Sequence, residues 1–120
     1  MTVAESDDLI HQPLRLKVMA ALFADRGNEP LEFSRLKAIT QATDGNLGSH
    51  LATLEKAGYV EIAKDFVGKR PRTRVAMTPA GRRAFRRHVD YLREVVEGVS
   101  EAEGESVVAA AQDSLPGQRG

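Results

Sequence analysis

Lys69, Arg70, Arg72 and Arg74 fall within six positions of FVGKRPRTRV (66–75), around Pro71, in a chain of zero formal net charge. Guanidinium and ammonium groups gathered this closely suit the holding of phosphates. Arginine offers a planar fork to two oxygens and lysine a point charge. The neutral total conceals strong segregation. Residues 64–93 carry a net +8, residues 1–63 carry −3 and residues 94–120 carry −5. That separation marks a patch for a polyanion, flanked by acidic segments that limit indiscriminate sticking.

Other chemistries find little support. The 120 residues include no cysteine, which excludes disulfides, thiolate metal sites and thiol redox sensing. His11 and His88 lie far apart without ligand spacing, so neither a metal nor another cofactor is expected. Paired carboxylates beside an evident cleft and a phosphate-cradling glycine loop are also missing, which argues against an enzyme. MTVAESDDLIHQP has no basic region followed by a long apolar run, and no stretch nears the roughly 18 apolar residues of a membrane span. A soluble, cytoplasmic protein without a membrane partner is expected.

The elements that would position the basic stretch can be read from periodicity. Residues 1–8 are polar and read as a flexible start. PLRLKVMAALF (13–23) begins with proline, suited to a first helical turn, and is apolar nearly all round. Leu14, Val18, Ala21 and Leu22 make one stripe; Leu16, Met19, Ala20 and Phe23 make another. Such a helix is buried on most sides, which suggests one face in the chain's own core and one against a second subunit. DRGNEP (25–30) is a turn, Ser34 a candidate N-cap, and RLKAIT a short helix with Leu36 and Ile39 inward. Thr43 or Asp44 can cap the next helix, where Leu47, Leu51 and Leu54 recur at four and three before Gly58, a favoured C′ residue.

The period then changes to two. Val60 and Ile62, then Val75 and Met77, alternate with polar neighbours, giving two short strands joined by a long basic loop. Thr78 and Pro79 open a last helix with Phe85, Val89, Leu92, Val96 and Val99 spaced four and three. This two-heptad seam either packs on its own domain or pairs with the first helix across a dimer. Arg82, Arg83, Arg86 and Arg87 either face solvent or meet acids of a partner subunit. Residues 100–120 are small and acidic and read as a disordered tail. The expected fold is mainly α with a small β-hairpin (α+β): a winged helix-turn-helix over 9–99 with an added C-terminal dimerisation helix.

GNLGSHLATLEKAGYVEI resembles the recognition-helix signature of bacterial winged-helix regulators. VGKRPRTRVAMTPAGRRAF is similar to the wing and following helix of the MarR/ArsR-like group. The resemblance spans roughly residues 9–97 and implies a homodimeric, DNA-binding transcriptional regulator. Metal-sensing members carry cysteines near the second helix; RLKAIT has none, so the resemblance does not extend to metal sensing.

The residues point the same way. At about 100° per residue, Gly45, Ser49, Thr53 and Lys56 lie opposite the leucines, with Asn46 and Ala52 beside them. Small groups let a helix approach base edges in a major groove; Asn46 could address adenine, Ser49 any base and the Thr53 methyl thymine. The recognition-helix candidates are Asp44, Gly45, Asn46, Ser49, His50, Thr53 and Lys56, with His50 at the edge, better placed to pack than to read bases. The wing candidates are Lys64, Lys69, Arg70, Arg72 and Arg74, with Arg35 and Lys37 as further backbone contacts. The dimer candidates are Leu14, Val18, Phe85, Val89, Leu92, Val96 and Val99. Double-stranded DNA and a second copy of the chain are the expected partners; the sequence allows, without arguing for it, a small-molecule effector in a pocket between the dimer helices and the winged domain. The competing reading is an interaction module that binds an acidic protein partner through the same winged helix.

Overall fold

The computed structural model describes residues 6–24 and 29–103, with side chains through Val99. The elements are α1 (Asp8–His11), α2 (Pro13–Ala24), β1 (Leu31–Glu32), α3 (Phe33–Thr40), α4 (Asp44–Lys56), β2 (Val60–Val67), β3 (Arg70–Met77) and α5 (Pro79–Glu103). They form the winged helix fold: mostly helical, with one antiparallel sheet in the order β1-β3-β2. The hairpin expected from sequence gains a third strand, since Leu31 pairs with Val75 and Glu32 with Arg74. Residues 25–28 of the expected turn lie outside the described residues, as does the expected tail beyond Glu103.

Local chemistry sets most of the boundaries. The Thr43 hydroxyl accepts the Asn46 N–H at 3.2 Å and starts α4. At its far end Gly58 adopts φ +83°, its N–H donates to Glu55 O, and the Tyr59 N–H donates to Leu54 O. These paired bonds are a Schellman ending, which needs the left-handed conformation glycine adopts freely. Gln41, left-handed at φ 58°, ends α3 and leaves a three-residue turn before α4. Ser34 does not cap α3. The helix begins at Phe33, because Glu32 is held extended by its pairing in β1 and the chain turns directly after it.

The segment between Val67 and Arg70 also differs from expectation. β2 and β3 run eight residues each and reverse at Gly68–Lys69, with Val67 opposite Arg70. Gly68 has φ +64°, as the first central position of a type II′ hairpin turn requires. The basic stretch is therefore mostly strand, not loop. Pro71 is tolerated there because β1 pairs only with Arg74 and Val75, which leaves that part of β3 an edge.

α2 is central to the core, touching α1, α3, α4, α5 and β3. Val18, Met19 and Leu22 are buried, and Leu16, Ala21 and Phe23 pack against the same cluster. Much of its apolar surface is thus taken up within the chain, while Leu14 stays half-buried and Ala20 exposed. Phe23 packs on Phe85 with ring centres 5.0 Å apart and planes tilted by 45°, and the Arg82 and Arg86 guanidiniums lie 4.9 and 5.6 Å from its ring centre. These two arginines cover an aromatic face of their own chain.

α5 begins with Thr78, whose hydroxyl accepts the Gly81 N–H at 2.9 Å and donates to Gly58 O at 2.6 Å. Ala84, Phe85 and His88 are buried, while Val95, Val96 and Val99 further on are exposed. The helix runs to Glu103, past Ser100, where the sequence placed the start of a tail. No helix among the described residues is long and apolar enough to cross a membrane.

Candidate nucleic-acid interface

α4 buries Leu47, Leu51 and Leu54 and turns Gly45, Asn46, Ser49, Ala52 and Lys56 to solvent, the division expected from its periodicity. Asp44 is also exposed and holds the Lys37 ammonium at 2.8 Å; Arg35 is exposed nearby on α3. A surface pair like Lys37–Asp44 is worth less than about 1 kcal/mol, so a phosphate can compete for the lysine. Thr53 is half-buried, and its hydroxyl donates back to Ser49 O at 3.2 Å.

His50 belongs to the scaffold. Its Nδ1 accepts from Arg15 Nη1 at 3.1 Å, and the same arginine donates Nε to Leu9 O. Burial, then the adjacent guanidinium, lower the His50 pKa below the usual imidazole value. The ring stays neutral at pH 7 and braces α4 against α2.

The hairpin has two chemically distinct faces. Directly opposed residues share a face, and neighbours alternate. Val60, Ile62, Lys64 and Phe66 therefore share the inner face with Pro71, Thr73, Val75 and Met77. The outer face carries Asp65, Arg72 and Arg74. Between α4 and the inner face lies a groove of about 650 Å³, lined by Phe33, Gly48, Leu51, Ala52, Glu55, Ile62, Lys64 and Thr73. The exposed stripe of α4 and the inner side of the wing flank this one depression, so a single rigid body can touch both.

The wing cations do not act as one set. Asp65 accepts two bonds from Arg72, at 2.9 and 2.8 Å, and a third from Arg74 at 2.9 Å. The Arg72 hydrogen bond above all holds the Asp65 carboxyl below the usual carboxylate range; burial, the next effect, opposes it, and the two arginine charges and the Arg74 bond add to the lowering. Arg74 Nε is buried without a partner among the described residues. Lys64 remains on the groove side, and Lys69 and Arg70 occupy the exposed tip. Counting charges along the sequence treated Asp65 as one unit to subtract. The tight turn at Gly68, had it been recognised, would have placed it opposite Arg72.

Neutralising Asp65 should release both guanidiniums. Asp65→Asn is expected to bind mixed-sequence duplex DNA more tightly and to steepen the logarithmic salt dependence by about one to two phosphates, at little change in melting temperature. Fluorescence anisotropy across a salt series measures this; an unchanged slope would show that neither arginine reaches the backbone.

Among the dimer candidates, Val18 and Phe85 are taken up by the chain's own core, which leaves Val18 no surface to offer a partner. Val89 packs on that core, and Leu14 and Leu92 are half-buried. Val96 and Val99, 69% and 55% exposed, stand clear of it beside Val95.

His11 and His88, distant in sequence, are in contact: His11 Nδ1 lies 3.4 Å from His88 Nε2, and the Asp7 N–H donates to His88 Nδ1 at 3.1 Å. Asp7 also accepts from the Tyr59 hydroxyl at 2.7 Å, and burial, then Asp7, push that phenol up to about 12. The cluster ties α1 to α5. No group of three or more His, Asp or Glu among the described residues is placed to hold a metal.

Residues 14–96 match the family described as "Winged helix DNA-binding domain". Protein MJ0432 of Methanocaldococcus jannaschii, whose function is uncharacterized, is 37% identical over 89 residues, covering 74% of this chain and 90% of the relative. A transcriptional regulator homologue from Pyrococcus horikoshii OT3 superposes with a TM-score of 0.70 at 32% identity, covering 78% of this chain and 90% of that one. A MarR-family transcriptional regulator from Silicibacter pomeroyi has the same fold, with a TM-score of 0.57 at 22% identity, covering 90% and 73%. The two more similar proteins are archaeal and the bacterial regulator shares the fold, so the similarity is not confined to the bacterial group suggested by the motifs.

Proposed function

The chain belongs to the winged helix DNA-binding domain family, and from that premise we propose that it is a homodimeric, sequence-specific transcriptional regulator. In this reading α4 enters the major groove of double-stranded DNA. The wing lies on the adjoining backbone or minor groove.

The glycines of α4 carry the reading. A Cβ added at Gly45 or Gly48 would meet nothing within 4 Å, and neither backbone is left-handed. Nothing inside the chain therefore requires glycine at either place, although mid-helix glycine costs about 0.5–1 kcal/mol relative to alanine. What glycine provides is a low helix surface beside a groove, which matters to a large external partner that must come close. Ser49 and Ala52 continue the same slim stripe. Base edges at the floor of a major groove demand that profile.

The second copy is argued from α5. Val95, Val96 and Val99 are exposed together beyond the point where the helix leaves the core. Joining two such helices would bury them and would set two α4 helices on a pseudo-palindrome with half-sites about 34–36 Å apart.

Gly48→Ala and Gly48→Met test the assignment. Both should raise the melting temperature, because a better helix former replaces glycine in open space. Both should weaken binding to a duplex recovered by in vitro selection, methionine by tenfold or more. Stabilised variants that bind DNA as well as the parent would remove α4 from the interface, and a parent that recovers no preferred sequence would remove sequence specificity.

A further inference from the structure

Phe66 is 68% exposed, the adjoining Val67 is 53% exposed, and both stand at the end of a two-stranded ribbon, beyond the core. Most of the free energy that burying a phenylalanine supplies is forgone here. Register explains how the ring is presented. Phe66 stands directly across from Pro71, which fixes the backbone behind it, and shares the inner face with Lys64. That face adjoins the groove beside α4. Lys69 stands in the turn and Arg70 beside it, opposite Val67, and neither forms an ion pair with a described residue. An apolar side chain next to a cationic tip, on the groove side of a narrow ribbon that also carries Lys64, fits a partner that is anionic outside and apolar within. A duplex minor groove has that chemistry: phosphates along the rims, deoxyribose edges as walls and base steps below. Apolar wedges such as Phe and Pro are used there by proteins that widen or kink DNA.

We propose that Phe66, backed by Pro71, is an apolar tooth that the wing presses into the minor groove, against sugar edges and a deformable base step. The inference rests on the DNA-binding reading above and assigns the wing a contact of a second kind. Lys69 and Arg70 bind phosphates and lose strength with salt. Phe66 supplies the part of wing affinity that salt does not screen, and favours sequences whose minor groove opens easily.

The test is a salt series of anisotropy titrations on a fluorescein-labelled, mixed-sequence 40-bp duplex with the full chain. Phe66→Ala should bind about tenfold more weakly at every salt concentration, with the slope of log K against log salt unchanged. Phe66→Leu should recover most of the loss. Lys69→Ala should instead flatten the slope by about one phosphate. Phe66 is exposed, so thermal melts of the variants should match the parent. Because the chain has no tryptophan, Phe66→Trp places a sole indole at the tip, and duplex should shield it from acrylamide quenching. Phe66→Ala binding within twofold of the parent, a changed slope, or an unshielded indole would each overturn the proposal while leaving the DNA-binding reading intact. In that event the patch would serve a protein contact. A parent chain that ignores the duplex at 50 mM salt would overturn both.

Discussion

Gly81→Ala should destabilise the chain by roughly 3 kcal/mol, the range of severe overpacking, and lower its melting temperature by about 15 °C. A Cβ at position 81 would sit 2.1 Å from Tyr59 O, 2.9 Å from Tyr59 C and 3.0 Å from Tyr59 Cα. All three are backbone atoms at the Schellman ending of α4, so no side chain can swing aside. Relief requires α5 to back away from that turn. Movement would stretch the Thr78 N–H bond to Tyr59 O, now 3.0 Å, and the Thr78 hydroxyl bond to Gly58 O. Better helix propensity returns at most about 1 kcal/mol and does not offset the clash. Gly98 lies in the same helix with nothing within 4 Å of its added Cβ. Gly98→Ala should therefore stabilise slightly. Paired urea titrations measure the contrast; equal effects at the two sites would show that the α4–α5 contact is slack.

The second large effect belongs to His88, whose ring is wholly buried. Its Nδ1 accepts the Asp7 N–H, so in the neutral ring the proton sits on Nε2 and points at His11 Nδ1. A second proton would have to go on Nδ1, where it would face the Asp7 amide hydrogen. Burial first, then His11, lower the His88 pKa, and the Asp7 carboxylate opposes them only in part. Tyr91 stacks on the ring at 5.9 Å. The unfolded chain titrates near pH 6.5, so just below that pH it binds more protons than the folded chain. Stability is complete above about pH 6.5 and is lost as pH falls through the lower, folded value. Thermal melts between pH 8 and 5 should show this decline. His88→Ala should cost about 3 kcal/mol at pH 7, through the cavity and the unpartnered Asp7 amide. It should also flatten much of the pH profile. The remainder belongs to His50, lowered in the same direction. An undiminished acid dependence in His88→Ala would place the titration elsewhere.

Features set by neighbours in the chain were legible beforehand. The leucine period of α4, the Thr43 cap, the Gly58 ending and the Thr78–Pro79 start are each decided within about one helical turn. Residue type and spacing there leave few alternatives. The exposed stripe of α4 follows from the same arithmetic, and with it most of the recognition-helix candidates. Strand alternation was legible at the base of the hairpin, where one face is buried. It failed towards the tip, where both faces are wet and a basic, proline-containing strand reads like a loop.

Other features depend on which distant segments meet. The all-round apolar surface of α2 suggested a second subunit; within the chain α1, α3, α4, α5 and β3 pack around the helix and take up Val18, Met19 and Leu22, while Ala20 stays exposed. Periodicity reports how much of a helix is apolar, not what covers it. Register across the Gly68 turn, a single residue's choice, put Asp65 against Arg72 and Arg74 and left Lys64 and Phe66 on the side of α4. The contact of His11 with His88 spans most of the domain and follows only once α1 folds back on α5. Sequence thus determined the local elements and the chemistry each one carries, because capping and amphipathic burial act over a few residues. Tertiary structure alone decided which charges are paired and which are free, because a side chain's partner is set by packing between segments that no local pattern connects.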